Sequence, residues 1–270
     1  MSADEQDWAP PEVDRQRANV ARVYDYLLGG THNFLADQDV GRAIVAVEPN
    51  ARAVGQANRA FLGRAVRCLA GAGVRQFLDV GSGIPTQANA HEVAQDAAAD
   101  ARTVYADIDP VAIAHSRAIL AGNPGATIIE ADLRDPAAVL ERAAATGLID
   151  FSRPVGLLLL AVLHFVPDSD DPWGIVASLR DALAPGSYLV LSHGTEEGAP
   201  VVAQAAEKVY QRTVSARLRM RSRADITRFF DGFDLVEPGL VAMPYWRPDA
   251  ADPRGDPDKF WGGLAGVGRK

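Results

Sequence analysis

The chain has 270 residues, 48% of them hydrophobic and 23% charged, which supplies a full-sized core and excludes a disordered chain. A net charge of −8 argues against a general grip on nucleic acid, because that binding draws on clustered positive charge. One cysteine, Cys68, excludes an intrachain disulfide and any cysteine-based zinc or iron–sulfur site.

Residues 1–11 are polar and acidic, without the apolar core of a signal peptide, and the longest apolar run, residues 155–166, is too short to cross a bilayer. A cytoplasmic protein with no membrane association is expected. Residues 12–28 carry Val13, Val20, Val23 and Leu27 at helical spacing and stop at Gly29-Gly30, a C-cap signal. A second helix is predicted over 51–70, and the two are expected to form an N-terminal helical cap, residues 1–72. From residue 73 to 270 the pattern changes. Short β-rich runs at 76–80, 103–107, 127–130, 155–162 and 188–192 alternate with predicted helices at 86–98, 111–121, 136–146 and 173–183. This is the pattern of βαβ units around a parallel sheet. Residues 157–160 are apolar on both faces and should run through its middle. Helices are then predicted at 201–217 and 223–230, apolar stretches at 233–236 and 240–245, and a surface loop at 248–259. Phe260, Trp261, Leu264 and Val267 are expected to form a closing strand.

The most informative segment is Phe77-Leu78-Asp79-Val80-Gly81-Ser82-Gly83, a strand ending in an acid and a glycine turn. Glycines there let the chain turn tightly and let a ligand approach the backbone. A dinucleotide fingerprint would need a third glycine, where this chain reads Ile84-Pro85-Thr86. Asp79 also repels a pyrophosphate and suits a ligand bearing an ammonium group. Asp107 ends the second strand at the distance from the glycine turn where an acid meets ribose hydroxyls, with Ile108 beside it and Asp109 placed to cap the next helix. After the third strand, Asp132 could accept from an adenine amino group while Leu133 lies against the ring. The expected cofactor is S-adenosylmethionine.

In this order, Asp79-x-Gly81-x-Gly83, Asp107 and Asp132, the chain resembles class I S-adenosylmethionine methyltransferases. More narrowly, it resembles the actinobacterial S-adenosyl methyltransferase family first described as a domain of unknown function. The narrower likeness rests on Ala21-Arg22-Val23-Tyr24-Asp25-Tyr26-Leu27-Leu28-Gly29-Gly30 with Asn33-Phe34 and Asp37, on Pro85-Thr86-Gln87, and on Leu163-His164-Phe165-Val166-Pro167-Asp168. It extends to Trp246-Arg247-Pro248 and to Gly266-Val267-Gly268-Arg269-Lys270, with Thr31-His32 as a departure from the family pattern. The resemblance implies an α/β, Rossmann-like, seven-stranded sheet, mostly parallel with its last strand antiparallel. It also implies a lid in which Tyr24, Gly30, Asn33 and Phe34 meet the cofactor.

His164 and His193, after the fourth and fifth strands, sit where a general base would stand if the acceptor must lose a proton; His32 and His91 are weaker candidates. No metal site is expected, since the histidines lack ligand spacing. Arg212, Arg217, Arg219, Arg221, Arg223 and Arg228 form a basic stretch that reads first as a solvated helix face and second as a landing site for an anion. The leading function is methyl transfer to a small-molecule acceptor. The alternatives are a regulatory protein that binds S-adenosylmethionine or S-adenosylhomocysteine without transfer, and an NAD-dependent oxidoreductase.

Overall fold

The computed structural model describes residues 13–85, 89–213, 217–250 and 262–270, apart from the side chains of 212 and 213. Strands β1 (Gln76–Val80), β2 (Arg102–Asp107), β3 (Ala126–Glu130), β4 (Gly156–Leu160) and β5 (Tyr188–Gly194) are parallel. With β6 (Asp234–Leu235), β7 (Val241–Ala242) and β8 (Gly263–Arg269) they form one sheet in the order β3-β2-β1-β4-β5-β8-β6, with β7 also on β8. The sheet therefore has eight strands where seven are expected, because the last apolar stretches yield two separate two-residue strands. Strand β8 is antiparallel to β5 and closes the sheet; Phe260 and Trp261 lie outside the described residues, as do Thr86 and Gln87 and most of the expected surface loop. Its glycines answer to packing. A Cβ on Gly268 would lie 2.9 Å, and one on Gly266 3.1 Å, from the Phe230 ring, so that ring lies directly on the bare backbone.

The all-leucine run of β4 is buried on both faces, as expected of a central strand. Leu157 and Leu159 face a core completed by α6 (Pro136–Ala145) and α7 (Pro172–Ala182). Leu158 and Leu160 face the opposite core, built on α3 (Ala51–Gly71) through Phe61, Leu62, Val66 and Leu69. Helix α3 is thus a structural wall of the sheet, and the cap expected over residues 1–72 divides. Its outer part is α1 (Val20–Leu28) and α2 (Leu35–Val47), which pack with α8 (Pro200–Thr213) in a separate apolar cluster. Helix α1 begins eight residues later than the spacing predicts, at the Asn19 cap, whose side chain accepts from Ala21 N–H. Helix α2 is absent from the sequence expectation, since Asp37, Asp39 and Gly41 weaken its helical signal. Gly41 is there for contact: a Cβ would lie 2.2 Å from the Tyr26 ring, so this α1 side chain packs directly on the bare backbone of α2.

A buried charge cluster ties this cap to the sheet. Arg22 of α1 donates to Asp37 at the start of α2 (3.0 Å) and faces Asp109 at 3.7 Å, with all three side chains 5% exposed or less. Asp37 also accepts the backbone N–H groups of Asn19 and Phe34. Asp109 caps α5 (Pro110–Ile119) by accepting from Val111 and Ala112. Removing one member of such a cluster strands the remaining charges. Arg22→Ala is expected to lower unfolding free energy by about 3–5 kcal/mol, read by urea titration; a loss below about 1 kcal/mol would mean that the cluster does not anchor the cap.

Candidate active site

A cavity of about 740 Å³ opens at the carboxyl edge of the sheet between α1, α3, α8 and the turns after β1, β2, β3 and β4. Its floor is the glycine turn. Gly81 and Gly83 have φ of +74° and +65°, a region that disfavours side chains. A Cβ on Gly81 would meet Val162 at 2.2 Å, whereas one on Gly83 would enter open space. Asp107 holds the turn from the next strand: Oδ2 accepts from Gly83 N–H (2.7 Å), and Oδ1 accepts from Ile108 and Asp109 N–H (2.8 and 2.9 Å). The residue expected to face ribose is therefore also a brace for the glycine turn. Burial is the main reason its carboxyl lies above the usual range, against the pull of these amides.

Asp79, Ser82, Ile108, Asp132 and Leu133 all line the same cavity. Burial pushes the Asp79 carboxyl up to about 7, the Arg59 guanidinium pulls the other way, and the Asp107 charge adds to the rise. The Ser82 hydroxyl oxygen is buried without a hydrogen-bond partner among the described residues. Ile108 is 56% exposed, an apolar side chain held open at a strand end, while Leu133 is buried. Asp132 is bound by Arg134 through Nε and Nη2, which holds its carboxyl below the usual range. Arg59 is the residue that sequence reasoning missed. It lines the cavity from α3, a helix whose spacing marks it only as amphipathic.

The expected lid residues separate. Tyr24 lines the cavity, donating to Gly55 C=O and accepting from Asn58. Asn58 accepts in turn from Ser192, and the Ser192 hydroxyl accepts from the N–H of Ala161, which has φ of +53°. Gly30, Asn33 and Phe34 are not among the lining residues. Asn33 donates to Asp25 and to Gly30 C=O, and a Cβ on Gly30 would strike the Asp25 carboxylate at 2.0 Å. Phe34 packs with Val13, Ile84 and Val111, behind the glycine turn. These three residues shape the cap's connection and do not face the ligand space.

Of the two histidine candidates, His193 has both ring nitrogens engaged, Nδ1 with Gly194 C=O (2.6 Å) and Nε2 with Arg221 Nη1 (2.8 Å). Since a guanidinium only donates and a carbonyl only accepts, the ring is neutral with its proton on Nδ1. His164 lines the cavity, and its Nδ1 accepts from Gly194 N–H at 3.3 Å. Its neutral form therefore carries the proton on Nε2, and burial together with the nearby Arg221 lowers its pKa to about 3. Neither ring offers a free basic nitrogen in this arrangement. His32 packs at a tilt against His115 and His91 is bonded to Tyr105, both away from the cavity lining. Among the described residues, no group of three or more His, Cys, Asp or Glu could hold a metal.

The basic stretch divides as well. Arg221 is 3% exposed and binds Leu163 C=O, Val166 C=O and Asp168, pinning the turn after β4 to the end of β5. Arg219 pairs with Asp168, Arg223 with Glu197 and Arg228 with Asp225. Arg217 is exposed at the cavity, and the Arg212 side chain lies outside the described residues.

Together, a parallel sheet closed by an antiparallel strand and an acid–glycine turn facing two further strand-end acids define a class I S-adenosylmethionine-dependent methyltransferase. The sequence profile of the S-adenosyl methyltransferase family matches residues 6–270, and the chain belongs to that family. It is similar to a candidate methyltransferase from Thermobifida fusca YX, at 42% identity over 98% of this chain and 99% of that one, with a TM-score of 0.91. It is equally similar to a DUF574 family protein from Streptomyces avermitilis MA-4680, at 41% identity over 95% and 99% of the two chains, again with a TM-score of 0.91. The fold extends to human N-acetylserotonin methyltransferase in complex with SAM, at 12% identity over 94% of this chain and 63% of that one, with a TM-score of 0.51. No curated protein matches the chain. Family and fold set aside the NAD-dependent reading and the reading without transfer.

The two turn glycines should respond differently to a methyl group. Gly81→Ala meets both positive φ and Val162 and should cost at least about 2 kcal/mol of stability. Gly83→Ala should cost about 1 kcal/mol yet weaken cofactor binding at least about tenfold, because its Cβ enters the cavity. Melting curves and calorimetric titration with S-adenosylhomocysteine distinguish these outcomes; equal binding losses scaled only to stability would contradict them.

Proposed function

We propose that this methyltransferase acts on a small-molecule acceptor, bound beside the cofactor in the same cavity. The observation that carries the reading is the cavity itself. At about 740 Å³ it lies in the upper part of the range of about 300–1,000 Å³ for ligand pockets. Beyond the glycine turn its walls are mostly apolar side chains of α1, α2 and α8, among them Leu27, Ile44, Ala203 and Ala206. Among the described residues no helix is long and apolar enough to cross a membrane. The acidic net charge favours a small acceptor over a polyanion.

In this reading Asp107 accepts from the ribose hydroxyls while keeping its hold on the glycine turn. Ile108 and Leu133 enclose the adenine ring, and Asp132 keeps a lone pair for its amino group. Asp79 and Arg59, one on each side of the charge balance, receive the ammonium and carboxylate of the methionine part. Tyr24 and its chain of hydrogen bonds close the cavity from the cap. The bound sulfonium supplies an already activated methyl carbon, so the protein's work is alignment and exclusion of water.

This assignment has a pH signature. The Asp79 carboxyl titrates near 7 in the free protein, and only its ionised form attracts an ammonium. Its folded pKa lies above the unfolded value, so the group favours the folded apoprotein on the acid side and disfavours it as pH rises from about 4 towards 7. Cofactor binding has the opposite slope. Affinity for S-adenosylhomocysteine should rise as pH increases from about 5.5 to 7, approaching tenfold per unit at the acid end. Asp79→Asn should bind weakly and lose this slope; a variant that keeps it would place the titrating group elsewhere.

A further inference from the structure

We propose that the acceptor is an apolar monocarboxylic acid, methylated on a carboxylate oxygen, and that the His164 Nε2–H group orients it. The inference rests on the methyltransferase cavity described above and assigns the chemistry of its second occupant.

The proton inventory around the cavity leads to it. His164 receives the Gly194 N–H on Nδ1, so its remaining nitrogen carries a hydrogen and can only donate. That nitrogen has no partner in the protein among the described residues, and the ring lines the cavity. Reversing the tautomer would set Nδ1–H against the Gly194 N–H. The low pKa of the ring, about 3, keeps it neutral in the working range. His193 is locked between Gly194 C=O and Arg221 and has no lone pair to offer. Burial raises the pKa of Tyr24 and of Tyr210, so both phenols stay protonated. Two carboxylates remain outside the cofactor half: Glu48, which accepts the Asn50 N–H, and Asp170, exposed at the rim.

This wall thus presents a donor and no basic nitrogen. Aliphatic hydroxyls, phenols, thiols and alkylamines hold their proton at neutral pH, whereas a carboxylic acid with an ordinary pKa near 4 arrives ionised. One carboxylate oxygen accepts from His164 Nε2–H. The other directs a lone pair at the methyl carbon, forming the O–CH3 bond as the S–CH3 bond breaks and its electron pair returns to sulfur. The products are a methyl ester and S-adenosylhomocysteine, and no proton moves. Arg217, exposed on the same cavity, adds positive potential at the entrance, and the apolar side chains of α2 and α8 suit the body of the acid.

The test uses the full chain with S-adenosylmethionine and two matched probe sets. The first contains octanoate, decanoate and hydrocinnamate; the second contains octanol, octylamine, octanethiol and a phenol of equal size. With S-adenosylmethionine held saturating at each pH, methyl esters should form from the acids with a rate nearly constant from about pH 6 to about pH 9. His164→Ala should lower kcat/KM for the acids by about ten- to a hundredfold, and His164→Gln, which restores an N–H donor, should recover most of it. Melting temperature and affinity for S-adenosylhomocysteine, measured on the same preparations, should change little. Methylation of the alcohol, amine, thiol or phenol with the acids inert would overturn the proposal, as would a rate at saturating S-adenosylmethionine that climbs with pH. Neither binding nor turnover of any acid, in protein that binds S-adenosylhomocysteine, would overturn it too. Failure to bind S-adenosylhomocysteine at all would instead fall on the cofactor assignment beneath it.

Discussion

The cofactor cleft depends on one carboxylate doing two things. Asp107 gathers three backbone N–H groups, one from the glycine turn and two from its own strand end. Without that anchor, a turn containing two glycines at positive φ would have little to hold it open, because glycine resists ordering more than any other residue. The same carboxylate faces the cavity. Two residues on, Asp109 caps α5 and meets Arg22 from the cap. The segment from 107 to 109 is therefore where glycine turn, sheet and cap are mechanically joined.

A second centre of order lies across the cleft. Arg221 binds two carbonyls, a carboxylate and His193, and it lies against the stacked rings of Trp173 and Phe229. Buried guanidinium groups persist where their donors are met in several directions at once. Burial keeps both rings neutral, and Arg221 adds to this by fixing His193 in one tautomer and placing positive charge near His164. The electrostatic character of this wall is thus shaped in part by a residue that does not line the cavity.

Legibility in the sequence followed the range of the forces involved. The five parallel strands and the helices between them were readable because alternating burial writes itself into neighbouring residues, as in the leucines of β4. The acid–glycine turn was readable for the same local reason. What escaped depended on distant partners. Helix α2 was hidden because Gly41 looks like a breaker until the Tyr26 ring is seen against it. Arg59 and Arg221 had no local mark distinguishing them from solvated arginines, and Asn33 and Phe34 sat in a motif whose residues turn out to brace the cap. The tautomers of His164 and His193 were set by Gly194 and Arg221, contacts that no spacing encodes.

The cavity is bounded by two packing systems with few shared members. Its glycine-turn half belongs to the strand ends, while Leu27, Ile44, Ala206, Tyr210 and Leu218 belong to a satellite core of α1, α2 and α8. Substitutions in that satellite core can reshape one wall while leaving the main cores largely undisturbed, since changes at separated sites add with little coupling. Such an arrangement is open to evolutionary drift in one direction only. Relatives could diverge in what they modify while keeping an unaltered nucleoside grip, and a designer seeking new selectivity would vary α2 and α8 first.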